Sequence, residues 1–144
     1  MFNKSQLYVF CDGGARGNPG PAATGFIIKD SRGKILVQKG NYIGPATNNV
    51  AEYQAVIGAL QWLGGQFDKG KLDNDSIVNF FLDSKLAVNQ LNGFYKIKNK
   101  NLQKLVITIK KLEKKLAAPV IYRHVSREKN YLADCLVNDV LSNI

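Results

Sequence analysis

The stretch Leu7-Tyr-Val-Phe-Cys-Asp-Gly-Gly14 decides the fold. Its five leading strand-forming residues predict a β-strand buried on both faces, stopped by Asp12-Gly13-Gly14. Downstream, Ala23–Lys29 and Lys34–Lys39 flank the turn-rich Asp30-Ser31-Arg32-Gly33, the pattern of a hairpin. The strand pattern resumes at Tyr42-Ile43 and is broken by Gly44-Pro45. From Asn49 the period changes: Ala55, Val56, Ala59, Leu60 and Leu63 follow helical spacing until Gly64-Gly65. After a polar connection over residues 66–76, Ile77–Leu82 is a second strand run that ends in an acid, Asp83. Ser84–Leu91 predicts a short helix ended by Asn92-Gly93. Asn101–Leu116 predicts a longer one, with Leu102, Leu105, Val106, Ile109 and Leu112 inward and lysines outward. Pro119–His124 reads as a short strand, and Leu132, Leu136, Val137, Val140 and Leu141 mark a last amphipathic helix. The order β-β-β-α-β-α-α-β-α predicts a mixed sheet covered by helices, antiparallel where hairpins open it and parallel where helices separate the strands.

A length of 144 residues, 45% hydrophobic and 22% charged, suits one domain with a real core, and 1–144 is expected to form a single unit. No apolar run approaches the length that crosses a bilayer. The N-terminal run LYVFC ends in Asp12 rather than in a signal-peptide cleavage site. Cys11 and Cys135 are too few for a disulfide framework and lack metal-ligand spacing, so two reduced thiols in a cytoplasmic protein are expected. The net charge of +9 is concentrated: residues 84–129 hold 12 basic and 2 acidic side chains, whereas residues 1–83 hold 8 and 7. That asymmetry fits a surface that meets a polyanion, and equally a solvated lysine-rich helix face.

Four acids occupy privileged places. Asp12 and Asp83 end two runs that read as central strands, the edge at which α/β sheets gather ligands. Glu52 and Asp134 fall in the opening turns of the first and last helices. Each has a structural alternative. Asp12 suits a turn before Gly-Gly, Asn49-Val-Ala-Glu52 has capping-box spacing, Asp83 can cap the helix at Ser84, and Asp134 can meet a helix dipole after Asn130. If all four converge, crowded carboxylates must take up protons or bind cations. Oxygen-only ligation suits Mg²⁺ or Mn²⁺, and two such ions roughly 4 Å apart cut phosphodiesters.

The stretches Tyr8-Val-Phe-Cys-Asp-Gly-Gly-Ala-Arg-Gly-Asn-Pro-Gly-Pro21, Thr47-Asn-Asn-Val-Ala-Glu-Tyr-Gln-Ala-Val-Ile-Gly-Ala-Leu60, Phe81-Leu-Asp-Ser84 and Asn130-Tyr-Leu-Ala-Asp134 resemble type 1 ribonuclease H. The motifs stand in the family's order and span nearly the whole chain. The resemblance implies a ribonuclease H-like α/β fold: a five-stranded mixed sheet of order 3-2-1-4-5, its first three strands antiparallel, flanked by helices. It implies a metal-dependent endoribonuclease that hydrolyses the RNA strand of RNA–DNA hybrids and leaves 5′-phosphate and 3′-hydroxyl ends. Asp12, Glu52, Asp83 and Asp134 match the family's carboxylates for two Mg²⁺ or Mn²⁺ ions, with Asp12 bridging, Glu52 and Asp83 completing one site and Asp134 the other.

By the same resemblance Gly13 and Gly14 let the backbone approach the RNA minor groove, a tight turn being the alternative. Asn18 and Asn48 match hybrid-bonding positions and Thr47 a DNA-phosphate contact, against local capping; Asn49 is the expected N-cap. Lys85, Lys96 and Lys98 are candidate contacts to nucleic acid. The segment Phe94-Tyr-Lys-Ile-Lys-Asn-Lys100 stands where the family carries a larger basic protrusion, the alternative being a loop with one aromatic in the core. Trp62 is expected in the core. The family's loop histidine has no counterpart in the short Val125-Ser-Arg-Glu-Lys129, so His124 is expected to be a packed or surface strand residue, with Arg127 or Glu128 in the neighbouring space. A monomer without a protein partner or membrane is expected. The alternatives are a nuclease of the same fold acting on double-stranded RNA or DNA junctions, and a non-catalytic nucleic-acid-binding module.

Overall fold

The structure is a computed structural model that describes residues 5–116 and 118–144. Its elements are β1 (Gln6–Ala15), β2 (Gly20–Lys29), β3 (Ile35–Ala46), α1 (Asn48–Asp68), β4 (Ile77–Leu82), α2 (Lys85–Leu91), α3 (Lys100–Leu116), β5 (Val120–His124) and α4 (Tyr131–Ser142), with a 3-10 turn over Arg127–Asn130 before α4. The strands form one sheet of order β3-β2-β1-β4-β5. The β1–β2 and β2–β3 pairs are antiparallel, and β1–β4 and β4–β5 are parallel, as the alternation of hairpins and helices predicts.

The main core lies between the sheet and helices α1, α2 and α3. Leu7, Val9 and Cys11 of β1, Phe26 and Ile28 of β2, and Val78, Phe80 and Leu82 of β4 meet Val56, Leu60 and Leu63 of α1 and Ile109 of α3. A smaller cluster of Ala23, Val137 and Leu141 seats α4 on the opposite face. Trp62 packs against the main core, as expected.

Six sequence expectations are corrected. Asp12-Gly13-Gly14 does not stop β1, because β2 continues to pair with it: Asp12 faces Gly25, Gly13 faces Thr24 and Gly14 faces Ala23. The strand is fully buried on one face only, since Tyr8 and Phe10 are half-buried, Phe10 stacking on Phe81 of β4 and Tyr8 meeting the same ring at a tilt. Gly44-Pro45 does not end β3, which absorbs the irregularity as one register shift against Ala22 and Ala23 of β2 and runs to Ala46. Gly64-Gly65 does not end α1, which reaches Asp68. Each helical glycine costs about 1 kcal/mol relative to alanine, and the packing of Phe67 against the core beyond them outweighs that cost. At the other end Thr47, not Asn49, is the N-cap; its side chain accepts from Val50 N at 3.2 Å. Leu132, expected to face inward, is 46% exposed at the start of α4.

Candidate active site

The parallel pairing of β1 and β4 brings their carboxyl ends to the same edge of the sheet. Asp12 is on β1, and Asp83 follows the last residue of β4. Glu52, one turn into α1, is drawn onto Asp12 by Gly13. A Cβ on Gly13 would lie 2.2 Å from the Ala51 carbonyl carbon and 2.4 Å from the Glu52 nitrogen, so only glycine lets the helix come this close. A glycine on β2 does the same for α4. A Cβ on Gly25 would lie 2.7 Å from the Ala133 carbonyl oxygen, and the next residue, Asp134, faces the same cleft as the other three acids.

Carboxylate oxygens of Asp12, Glu52 and Asp83 lie within 4.8 Å of one another. Asp134 shares the open cleft, of about 500 Å³, that they line, and accepts from Asn138 Nδ2 at 3.3 Å. The structural alternatives for three of the acids do not survive the geometry. Asp12 lies in a strand, Glu52 lies beyond the first turn of a helix capped by Thr47, and α2 is capped by Ser84, whose side chain accepts from Ala87 N. Asp134 does lie in the first turn of α4, so its favourable place on the helix dipole stands beside its place in the cleft.

Burial pushes the Asp12 carboxyl up to about 7, and the charges of Asp83 and Asp134 add to the effect. Glu52 is raised too, by burial first and then by Asp12 and Asp83, while a hydrogen bond from the Gly13 backbone N–H opposes the rise. Glu52 Oε2 is buried without a hydrogen-bond partner. An orphaned buried carboxylate oxygen, two more carboxylates within 4.8 Å and no nitrogen or sulfur ligand in the set fit a hard divalent cation. The nearby Cys11 thiol is buried and its pKa is raised by that burial, so it is no thiolate ligand.

The expected substrate contacts divide. Asn48 and Gly14 line the cleft. Asn18 Oδ1 accepts from the Asn48 backbone N–H, and Asn48 Oδ1 accepts from the Ala15 N–H, both at 2.9 Å. The carbonyl ends of both amides thus clamp the β1–β2 connection to α1. The Thr47 hydroxyl serves as the cap. Gly13 lines the cleft as well; it lies in β1 rather than in a turn, and α1 backbone fills the place of its missing side chain. Lys85, Lys96 and Lys98 are exposed outside the cleft wall. Neither aromatic of the 94–100 segment is in the core: Phe94 is 75% and Tyr95 54% exposed, and Ile97 anchors the loop instead. His124 ends β5, exposed and away from the cleft wall, whereas Arg127 lines it and Glu128 does not. Sequence reasoning missed Arg16, which lines the cleft and donates to the Leu141 carbonyl at 3.0 Å and to Ser142 Oγ at 3.2 Å, tying the β1–β2 connection to the end of α4. A single cation in a loop carries no signal of such a distant partner.

A 3-2-1-4-5 sheet with acids at the carboxyl ends of its two central parallel strands, faced by acids from a helix on either side, defines the ribonuclease H-like class. A family model described as reverse transcriptase-like matches residues 10–140. A solved structure of LC11-RNase H1, isolated from compost by a metagenomic approach, superposes with a TM-score of 0.87 at 42% identity, over 99% of this chain and 98% of that one. The RNase H1 of the halophilic archaeon Halobacterium salinarum NRC-1 superposes with a TM-score of 0.85 at 34% identity, over 96% of this chain and 99% of that one. The chain belongs to the type 1 ribonuclease H family. It is also 36% identical to the bifunctional protein Rv2228c of Mycobacterium tuberculosis over 94% of its own length, but spans only 35% of that relative.

Proposed function

We propose that this chain is a metal-dependent endoribonuclease that hydrolyses the RNA strand of RNA–DNA hybrids. The observation that carries the reading is the convergence of Asp12, Glu52 and Asp83 within 4.8 Å, in a cleft shared with Asp134 and with one Glu52 oxygen left unbonded. Asp12 would hold both of two divalent ions, Glu52 and Asp83 one of them, and Asp134 the other. Bound there, Mg²⁺ or Mn²⁺ would activate the attacking water and neutralise the leaving 3′-oxygen of the RNA, giving 5′-phosphate and 3′-hydroxyl ends.

The chain's own residues hold the substrate and set its register. The amide nitrogens of Asn18 and Asn48, whose oxygens are engaged in the clamp, are left to donate to the hybrid. Gly14, with no atom closer than 3.6 Å to where its Cβ would be, offers bare backbone to the minor groove and its 2′-hydroxyls. Lys85, Lys96 and Lys98 meet phosphates outside the cleft, and Arg127 does so at its wall. A guanidinium stays charged at every working pH, so Arg127 acts by charge and does not shuttle a proton. Support for the substrate comes from LC11-RNase H1, 43% identical over 94% of this chain with a TM-score of 0.84, whose structure was solved in complex with an RNA/DNA hybrid.

Cleavage of an end-labelled hybrid in Mg²⁺ or Mn²⁺, beside duplex RNA, duplex DNA and a four-way junction, tests the reading. Wild type is expected to cut the hybrid, and Asp12→Asn to lose at least about 10³-fold of that activity. Equal cutting by the two proteins refutes the site. Preferential cutting of duplex RNA or the junction moves the substrate, and salt-dependent binding without turnover makes the chain a binding module.

A further inference from the structure

Asn130 stands at the N-cap position of α4, yet its side chain makes no capping bond to its own helix. It is 1% exposed. Its Nδ2 donates to the Cys11 carbonyl at 2.8 Å and reaches Asp83 Oδ2 at 3.5 Å. A carbonyl can only accept, so chemistry fixes which end of the amide is the nitrogen. The other end, Oδ1, is buried without a partner.

The location gives these bonds their meaning. The β1–β4 ladder ends at Phe10–Phe81, and beyond it the two strands deliver Asp12 and Asp83. Asn130 fills that fork, bonded to the residue before Asp12 and in reach of Asp83 itself. Four residues on, about one helical turn, Asp134 enters the same cleft. One amide therefore ties together the segments that carry three of the four acids. A buried amide with one end unpaired costs free energy, and the start of a helix does not require it.

We infer that Asn130 is a positioning residue of the divalent-cation site, holding the end of β1 and the Asp83 carboxylate in register with α4 before an ion arrives. The inference rests on the metal-binding reading of the acids. Groups that orient metal ligands without touching the metal typically change its affinity about 10–100-fold when removed.

The test is calorimetric titration of the whole protein with Mg²⁺ and with Mn²⁺. Asn130→Ala is expected to weaken the binding midpoint by about 10-fold or more. Its kcat should fall and recover as the ion concentration is raised, while KM for the hybrid stays within about twofold of wild type, a split that a merely loosened fold would not give. Asn130→Leu keeps the branched volume without a donor and is expected to behave alike should the alanine variant not fold. A folded variant with the wild-type midpoint overturns the inference and leaves the metal site standing. A wild-type protein that takes up no ion, or an Asp12→Asn protein that binds as wild type does, removes the metal site and this inference with it. If neither variant folds, the side-chain amide signals of wild-type Asn130 decide by NMR. They are expected to shift with the Mg²⁺ midpoint, and unmoved signals at saturation overturn the inference.

Discussion

The backbone nitrogen of Glu52 lies where Gly13 would carry a side chain: a Cβ built on Gly13 falls 2.4 Å from it. The two residues are thus one device, a strand stripped of its side chain so that a helix can lower its acid onto the neighbouring Asp12. Gly13→Ala is expected to push α1 away from β1, costing about 1–3 kcal/mol of stability and lowering kcat on a hybrid by at least about 10²-fold. Gly14→Ala meets nothing closer than Val137 Cγ1 at 3.6 Å, so its melting temperature should stay near that of wild type while KM rises. Thermal unfolding and steady-state kinetics of the two variants check this. Equal loss of stability in both would show that the close approach at Gly13 has no special role.

Crowding of buried acids makes the metal-free protein sensitive to pH in a defined direction. Asp12 is raised from an ordinary 3.8 to about 7, chiefly by burial, so over that interval the folded state holds a proton that the unfolded chain has released. The stability contribution is present below about 4 and is lost as pH rises through 7. In EDTA, urea unfolding should therefore show a less stable protein at pH 8 than at pH 5. Asp12→Asn should flatten the dependence and be the more stable protein at pH 8. Ion and proton compete for the same oxygens, so Mg²⁺ affinity of wild type should climb through pH 7 and then level off. A metal-free stability that rises from pH 5 to pH 8 would contradict this account of the site.

How far the sequence reached follows from the range of each interaction. Strand runs ending in Asp12 and Asp83, and the helical spacing of Ala55, Val56, Ala59, Leu60 and Leu63, are local signals from which a mixed sheet covered by helices follows; the sheet order came from the family resemblance, and the convergence of Asp12, Glu52 and Asp83 is seen in the structure. Element ends were less legible, because neighbours in space decide them. Asp12-Gly13-Gly14 looks like a stop in one dimension and is ladder in three, since β2 supplies its partners. Gly13 shows the same limit at the site: its glycine was visible, but the helix that requires it is Ala51–Glu52, nearly forty residues away. Thr47 and Asn49 are both good caps by chemistry, and only the path of the chain out of β3 selects Thr47.

The segment after α2 presents Phe94 and Tyr95 to solvent beside Lys96 and Lys98, and none of the four lines the cleft. Such a group can grip a substrate strand by stacking and phosphate contact without touching the reacting bond. Lys96→Ala and Lys98→Ala together should raise KM for a hybrid and lower the slope of log affinity against log salt by about one for each phosphate contact removed, with kcat nearly unchanged. Phe94→Ala should raise KM with less effect on that slope. A loss of kcat at saturating hybrid would place the segment in catalysis instead. An unchanged KM in all variants would leave it a solvated loop anchored by Ile97.

The short connection before α4 places Arg127 at the cleft wall, which Arg16 also lines, and leaves His124 outside it. A histidine acting on the reaction would make activity depend on its protonation state, whereas a guanidinium keeps its charge across the whole range. His124→Ala should therefore retain kcat within about twofold and keep the wild-type pH profile. Arg127→Ala should lose at least about tenfold in kcat/KM with that profile unchanged, because a fixed charge rather than a titrating group has been removed. Arg127→Lys should recover part of the loss, a point charge being a partial substitute for a forked donor at a phosphate. Kinetics from pH 6 to pH 9 on the three variants separates the cases. A large loss in His124→Ala together with a wild-type Arg127→Ala would reverse the assignment and require β5 to turn its last side chain into the cleft when the hybrid binds.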